Sequence, residues 1–351
     1  MKRRDFLKTS AMAALSGVAI AVPALGTSMG KTITAAVEGE PLQFRFRPDG
    51  KFKILHITDT HYVAGNPKSQ RTMDNLVEML DLEKPDLVIH TGDIIFGNPA
   101  AQGFRELFQP IVDRGIPFAV ALGNHDSDFE LSRGEAFEVI RSIKGNINTP
   151  VKAGVHGYSN DVITLASDSK VERAIYLFDS GAYIDYRGEK GYDYVRHSQI
   201  DWYRKHSMAL AEKNNGMPVP SVAFFHIPVR EFVDGTAPAD KDMVGAFGEP
   251  PCASLYNSGL VANFKELGDV EAIACGHDHD NDFVLKFGDI YYIYGRFGGC
   301  DTVYNNIGAS GARVFEFTSG EKGFRTWTRI FAQGVAQELY LERDIKSLTK
   351  L

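Results

Sequence analysis

Residues 53–61 read Lys53-Ile54-Leu55-His56-Ile57-Thr58-Asp59-Thr60-His61, an apolar stretch that ends in a carboxylate and an imidazole two positions apart. Side chains two apart on an extended chain project to the same side, so Asp59 and His61 can hold one ion just past the strand. The arrangement recurs downstream. Asp86–His90 runs into Thr91-Gly92-Asp93, and Phe118–Leu122 into Gly123-Asn124-His125-Asp126. Ser221–Phe225 ends in His226-Ile227-Pro228, and Glu271–Cys275 in Gly276-His277-Asp278-His279. Five apolar strands each deliver a hard or borderline metal ligand past their C-terminal ends, the edge at which α/β sheets place their sites. Each piece alone has a plain explanation, such as a turn at Gly92-Asp93 or a satisfied core histidine at His226. Their ordered succession selects a metal site instead: Asp93 stands 34 positions after Asp59, Asn124 31 further on, His226 102 beyond that and His277 another 51.

The surrounding pattern is α/β. Further apolar runs at Val162–Ala166 and Ala174–Phe178 join the five, and helical periodicity appears near 71–83, 101–113, 134–143, 197–213 and 258–267. Such alternation implies βαβ units and buried sheets. Leu42–Arg47 and Lys51–Ile57, separated by Pro48-Asp49-Gly50, read as an opening hairpin. After Asp280 the chain turns strand-rich, at 283–287, 290–294, 311–317 and 324–330, and this block should be antiparallel. The organisation expected is a signal segment over 1–26, an N-terminal extension with a hairpin strand over 27–50, a single domain over 51–331 and a C-terminal tail over 332–351.

Composition bounds the rest. With 351 residues, 44% hydrophobic and 24% charged, the chain is an ordinary folded protein, which excludes disorder, collagen and coiled coil. Net charge is −7, and −10 once the four basic and one acidic side chains of 1–26 are set aside. So acidic a body repels phosphate at long range, and no nucleic-acid scaffold binding is expected. Lys2, Arg3, Arg4 and Lys8, an apolar run from Ala11 to Val22, and Ala24-Leu25-Gly26 read as an export signal. The run is shorter than the roughly 20 residues of a spanning helix, so no permanent membrane anchor is expected. Arg3-Arg4-Asp5-Phe6-Leu7-Lys8 resembles the twin-arginine signal, which addresses a folded passenger to a periplasmic or secreted location. Of the cysteines, Cys252, Cys275 and Cys300, one disulfide at most can form, and a Cys252–Cys300 pair stays open. The absence of Cys-x-x-Cys excludes thiol redox chemistry. Nothing in the sequence speaks to oligomeric state.

Taken together, the Asp-x-His, Gly-Asp, Gly-Asn-His-Asp, His and Gly-His-x-His blocks resemble those of the calcineurin-like metallophosphoesterases, and more narrowly of exported, purple-acid-phosphatase-related phosphohydrolases. The resemblance implies an α/β fold, a four-layer αββα sandwich with two mixed β-sheets and a dimetal site at the C-terminal strand ends. It implies that Asp59, His61 and His279 hold one ion, Asn124, His226 and His277 the other, and that Asp93 bridges them. The sequence departs from true purple acid phosphatases, which carry tyrosine where Phe96 stands and glycine where His61 stands. A phenyl ring cannot bind iron, so Mn²⁺, Zn²⁺ or Fe²⁺ all suit the mixed imidazole and carboxylate set.

The resemblance further implies hydrolysis of a small phosphate ester by a metal-bridging hydroxide, with His125 assisting the leaving group and Asp126 orienting it. Phosphodiesterase or nucleotidase activity on the same site is the alternative among enzymes, and an inactive metal-binding or interaction protein the alternative of another class. Arg230 and Arg296, near the motifs, are candidates to grip substrate through their forked donors, or are solvated surface arginines. His56 and His90, inside the strands, read as supporting or packing residues. The cluster Tyr183, Tyr186, Tyr192, Tyr194, Trp202 and Tyr203 reads as core and loop packing, with substrate stacking the alternative.

Overall fold

Strands that are apolar on both faces need cover on both faces, and this chain supplies it with two sheets back to back and helices outside each. The computed structural model describes residues 41–168, 170–343 and 347–348; the expected signal segment over 1–26 lies outside them. The first half comprises β1 (Leu42–Arg45), β2 (Lys51–Ile57), α1 (Gln70–Glu83), β3 (Leu87–His90), α2 (Ala100–Asp113), β4 (Phe118–Val120), α3 (Arg133–Arg141), β5 (Asp161–Ser167) and β6 (Lys170–Leu177). It continues with β7 (Tyr183–Tyr186), β8 (Glu189–Tyr192), α4 (His197–Lys213), β9 (Ser221–Phe224), α5 (Arg230–Thr236), β10 (Asp242–Val244), α6 (Leu260–Leu267) and β11 (Val270–Cys275). It closes with β12 (Val284–Phe287), β13 (Ile290–Tyr294), β14 (Gly311–Thr318), β15 (Phe324–Ile330) and β16 (Gly334–Leu341).

One sheet has six strands in the order β16-β15-β14-β2-β3-β4, the other eight in the order β1-β5-β6-β9-β11-β13-β12-β10. Period-two alternation sorts the side chains into layers. Phe52 and Ile54 of β2 enter the inter-sheet core, while Leu55 and Ile57 face the helices. Val222 and Phe224 of β9 do the same on the other sheet, with Ala223 and Phe225 turned outward. Leu76, Phe104 and Phe137 bring α1, α2 and α3 onto the six-stranded sheet, and Tyr203 and Phe264 bring α4 and α6 onto the eight-stranded one. The result is the four-layer αββα sandwich that the motifs imply. Within it β2, β3 and β4 run parallel, as do β6, β9, β11 and β13. Their C-terminal ends therefore open on one edge of the sandwich.

Three expectations are corrected. The turn at Pro48-Asp49-Gly50 forms, with Gly50 N donating to Arg47 O at 2.9 Å, but its arms do not pair as a hairpin. β1 joins β5 in one sheet and β2 joins β14 and β3 in the other. Splitting the arms lets Phe44 and Phe52, 5.6 Å apart, both enter the inter-sheet core. The strand-rich end is antiparallel as expected except that β13 runs parallel beside β11. The stretch expected as a tail from 332 instead contributes β16, whose Leu339 and Leu341 are buried between the sheets. Cys252, Cys275 and Cys300 are all free thiols, so the open Cys252–Cys300 pairing is not made. No helix of the described residues is long and apolar enough to cross a membrane.

Phe315 of β14 is fully buried, 5.2 Å from Phe224 of the opposite sheet and 5.7 Å from Phe324, ring centre to ring centre. Phe315→Ala is expected to cost about 3–5 kcal/mol in urea unfolding. A loss below about 1 kcal/mol would mean that the layers close over the gap.

Candidate metal centre

The loops past the strands are stitched together by their backbones. Asp59 N donates to Gly92 O and His61 N to Asp93 O, each at 3.0 Å, tying the loop after β2 to that after β3. The Asp126 carboxylate accepts from Asp93 N at 3.1 Å, Ile94 N at 2.8 Å and Gly123 N at 2.8 Å, adding the loop after β4. Arg133 donates to the carbonyls of Leu122 and Gly123 and pairs with Asp179, just past β6, at 2.5 Å, fastening that loop to the other sheet. His277 N donates to Asp59 Oδ2 at 3.0 Å, closing the ring from β11. The approach is so close that a methyl group on Gly276 would overlap Thr58 Oγ1 and Asp59 Oδ2. Asp59, His61, Asp93 and His277 all adopt left-handed backbone, with φ of 53°, 42°, 52° and 81°. Non-glycine residues hold that conformation only where the surroundings over-determine it, and such residues gather at functional sites.

Seven expected donors converge here. Asp59, His61 and His279 offer one group of ligand atoms and Asp93, His226 and His277 another, all atoms within a group lying within 4.8 Å. Asp93 Oδ2 is 3.7 Å from His61 Nε2 and 3.3 Å from His226 Nε2, so this carboxylate stands between the groups. Asn124 Oδ1 lies 3.0 Å from His226 Nε2. The tautomers follow from outer partners: His226 Nδ1 donates to Thr91 O at 2.7 Å and His279 Nδ1 to Tyr304 O at 2.8 Å. In their neutral forms both rings therefore direct Nε2 lone pairs inward. His61 Nε2 and His279 Nε2 face each other at 3.0 Å, an approach that two lone pairs tolerate only with a proton or a cation between them. A buried set of imidazoles, carboxylates and one amide oxygen is the donor chemistry of a divalent transition ion, and the residues fit two such ions.

Burial and mutual charge perturb the donors strongly. Burial pushes the His61 and His277 imidazoles well below the usual range and lifts the Asp59 carboxyl. His226 moves the other way: burial opposes its charge, but the Asp93 and Asp59 carboxylates and the Thr91 carbonyl together outweigh burial and raise it to about 9. Asp126 rises to about 6, through burial first and the charge of Asp93 second.

His125 borders the donors without joining either group. Its N–H donates to Asp93 Oδ1 at 2.8 Å, and its imidazole, 30% exposed, holds Nδ1 at 2.6 Å from Asp128 Oδ2. Asp126 is thus not the residue that orients His125; its oxygens are spent on backbone amides, and Asp128, one 3₁₀ turn on, takes that place. Sequence reasoning missed Asp128, although its i, i+3 spacing was available. It also passed over Tyr183 as packing: Asn124 Nδ2 donates to Tyr183 Oη at 2.8 Å, which turns the amide oxygen towards His226. Phe96 stands edge-on to both His61 and His125 at 5.3 Å. His56 and His90 support from beneath, bonded to Thr91 Oγ1 at 2.7 Å and Thr60 Oγ1 at 3.0 Å. Arg296 is corrected as a substrate residue: buried, it pairs with Asp282 at 2.6 Å and donates to Ile307 O and Ala309 O. Arg230, at the start of α5, is exposed, and among the described residues no hydrogen bond or ion pair ties it to the site.

Comparison with known proteins gives this geometry a family. Residues 52–281 match the family model of the calcineurin-like phosphoesterases, and the chain belongs to that family. It is 30% identical over 329 residues to an Arabidopsis thaliana protein named probable inactive purple acid phosphatase 28, covering 82% of this chain and 80% of the relative. It is 28% identical over 327 residues to phosphatase DCR2 of Saccharomyces cerevisiae, covering 83% of this chain and 55% of that one. Among solved structures, a dimetal phosphatase from Danio rerio superposes with a TM-score of 0.58 at 13% identity, over 84% of this chain and 99% of that one, a likeness of fold. Family and donor set together imply a dinuclear metal site.

Protein purified and reloaded with Mn²⁺ or Zn²⁺ is expected to hold close to two equivalents by elemental analysis, and Asp93→Asn to hold markedly less. Less than about half an equivalent in the reloaded wild type would remove the dimetal assignment.

Proposed function

We propose that this protein is an exported, metal-dependent hydrolase of small phosphate esters. The observation that carries this reading is the Asp93 carboxylate, approached by imidazoles from both sheets, with His125 beside it and open to solvent. A pair of divalent ions held by the two groups would supply an activated water and offset the charge of the phosphoryl group. Asp59 and Asp93 return two negative charges to such a pair, leaving about +2, which suits a dianionic ester. Asn124, turned by Tyr183, presents its oxygen rather than its amide protons to the centre. With Nδ1 committed to Asp128, His125 keeps Nε2 to give a proton to the departing oxygen, and the Asp128 carboxylate stabilises the imidazolium. Phe96 packs edge-on against His61 and His125.

Phosphodiesterase or nucleotidase chemistry would use the same groups, because the donors do not encode the leaving alcohol. The name of the Arabidopsis relative favours a second reading, a metal-binding or interaction protein without turnover. Screening metal-loaded protein on aryl phosphates, nucleotides and diesters with Mn²⁺, Zn²⁺ and Fe²⁺ separates the two. Turnover supports hydrolysis; full metallation without activity on every ester supports the second reading.

His125→Ala is expected to keep both metals and lose roughly 10²–10⁴-fold in kcat on esters with poor leaving groups, less on activated aryl esters. Equal losses across leaving groups would exclude proton donation by His125. For location, Arg3→Lys with Arg4→Lys is expected to trap the precursor inside the cell, as read by fractionation of the parent organism. Unchanged export would refute the twin-arginine reading.

A further inference from the structure

The hairpin of β7 and β8 pairs with neither main sheet. Its register sets Tyr183 opposite Tyr192 and Asp185 opposite Lys190, and alternation along the strands puts all four on one face. The two phenol rings lie 5.8 Å apart at 32°, forming an aromatic strip, and beyond them Lys190 Nζ stands 3.6 Å from Asp185 Oδ2. With Ile184 and Gly191 these residues line a shallow, solvent-open cleft of about 510 Å³.

Both tyrosines also touch the candidate centre. Tyr183 Oη accepts from Asn124 and lies 3.4 Å from His125 Nδ1, and the Tyr192 ring meets the His277 ring edge-on at 4.2 Å. Yet neither belongs to the buried clusters, and Tyr183 is 52% exposed. A phenol tethered at its hydroxyl and half exposed leaves stacking surface unspent. It borders the residue placed to protonate the leaving oxygen.

We propose that this cleft is the leaving-group subsite. It takes a phosphate ester whose alcohol carries a planar aromatic ring, an aryl group or a nucleobase, laid over Tyr183 and Tyr192 with its polar edge towards Asp185 and Lys190. The inference rests on the phosphoesterase reading and adds a substrate class to it. The ring need not be recognised by a dedicated hydrogen-bond pattern, because any π-face can stack on the strip.

The test measures equilibrium binding and steady-state kinetics of the metal-loaded chain with phenyl phosphate, a nucleoside 5′-monophosphate and glycerol 3-phosphate, beside Tyr192→Leu and Tyr183→Leu. The wild type is expected to bind a ring-bearing ester roughly tenfold more tightly than glycerol 3-phosphate, and each substitution to remove most of that preference. Metal content, read in parallel, distinguishes a lost subsite from a displaced His277 or Asn124. A preference confined to phenyl phosphate assigns an aryl ester, and one confined to the nucleotide assigns a base. Equal wild-type affinity for all three, or a preference that survives both substitutions, overturns the subsite. Because binding is measured apart from turnover, a protein that hydrolyses none of these nor the diesters of the wider screen overturns the phosphoesterase reading, while the binding ratio still decides the subsite.

Discussion

One carboxylate sits where the two sheets meet. Asp93 Oδ2 faces His61, from the loop after β2, and His226, from the loop after β9 of the opposite sheet, while Oδ1 accepts the amide of His125. Its own amide is held by Asp126 and its carbonyl accepts from His61 N. Every polar atom of this residue is engaged, by partners from the loops after β2, β4 and β9. In a buried setting, a carboxylate used so completely is expensive to disturb, since any lost partner leaves a desolvated charge behind.

The geometry has a cost that the rest of the fold offsets. Four donors in left-handed backbone carry strain on the order of 1–3 kcal/mol each. What holds them is the backbone stitching between loops and, beneath it, a core in which Phe224, Phe315 and Phe324 lock the sheets face to face. His56 belongs to both layers of this argument: its ring packs on Phe224 at 5.3 Å and its Nε2 meets Thr91 Oγ1, beside the carbonyl that orients His226. Packing between the sheets and the tautomer of a candidate ligand are therefore set by neighbouring atoms.

The central strands and all seven donors were legible in the sequence, because a strand buried on both faces leaves an unbroken apolar run and the chain must turn polar where it leaves the sheet. What was not legible depended on long-range choices. Turn chemistry at Pro48-Asp49-Gly50 says that the chain reverses, not which sheet each arm enters. β16 escaped because Gln337, at φ 55°, breaks the alternation that would have marked it. Arg296 looked like a ligand-gripping residue in a glycine-rich loop, whereas its partner Asp282 and its carbonyl acceptors come from separate turns that only the fold assembles. The hairpin of β7 and β8 was hidden for a different reason: its aromatic strip faces the site, so its composition resembles that of a core segment.

The stitching of the centre also orders events in time. His61 and His279 are 218 positions apart in the chain, and Asn124 and His226 are 102 apart. No local fragment contains either pair, so neither can meet until both sheets exist and have docked. Contacts of this span make for slow, topology-limited assembly, and the complete donor set exists only at its end. Ions held by that set would deepen the stability of the finished fold in proportion to the logarithm of their concentration.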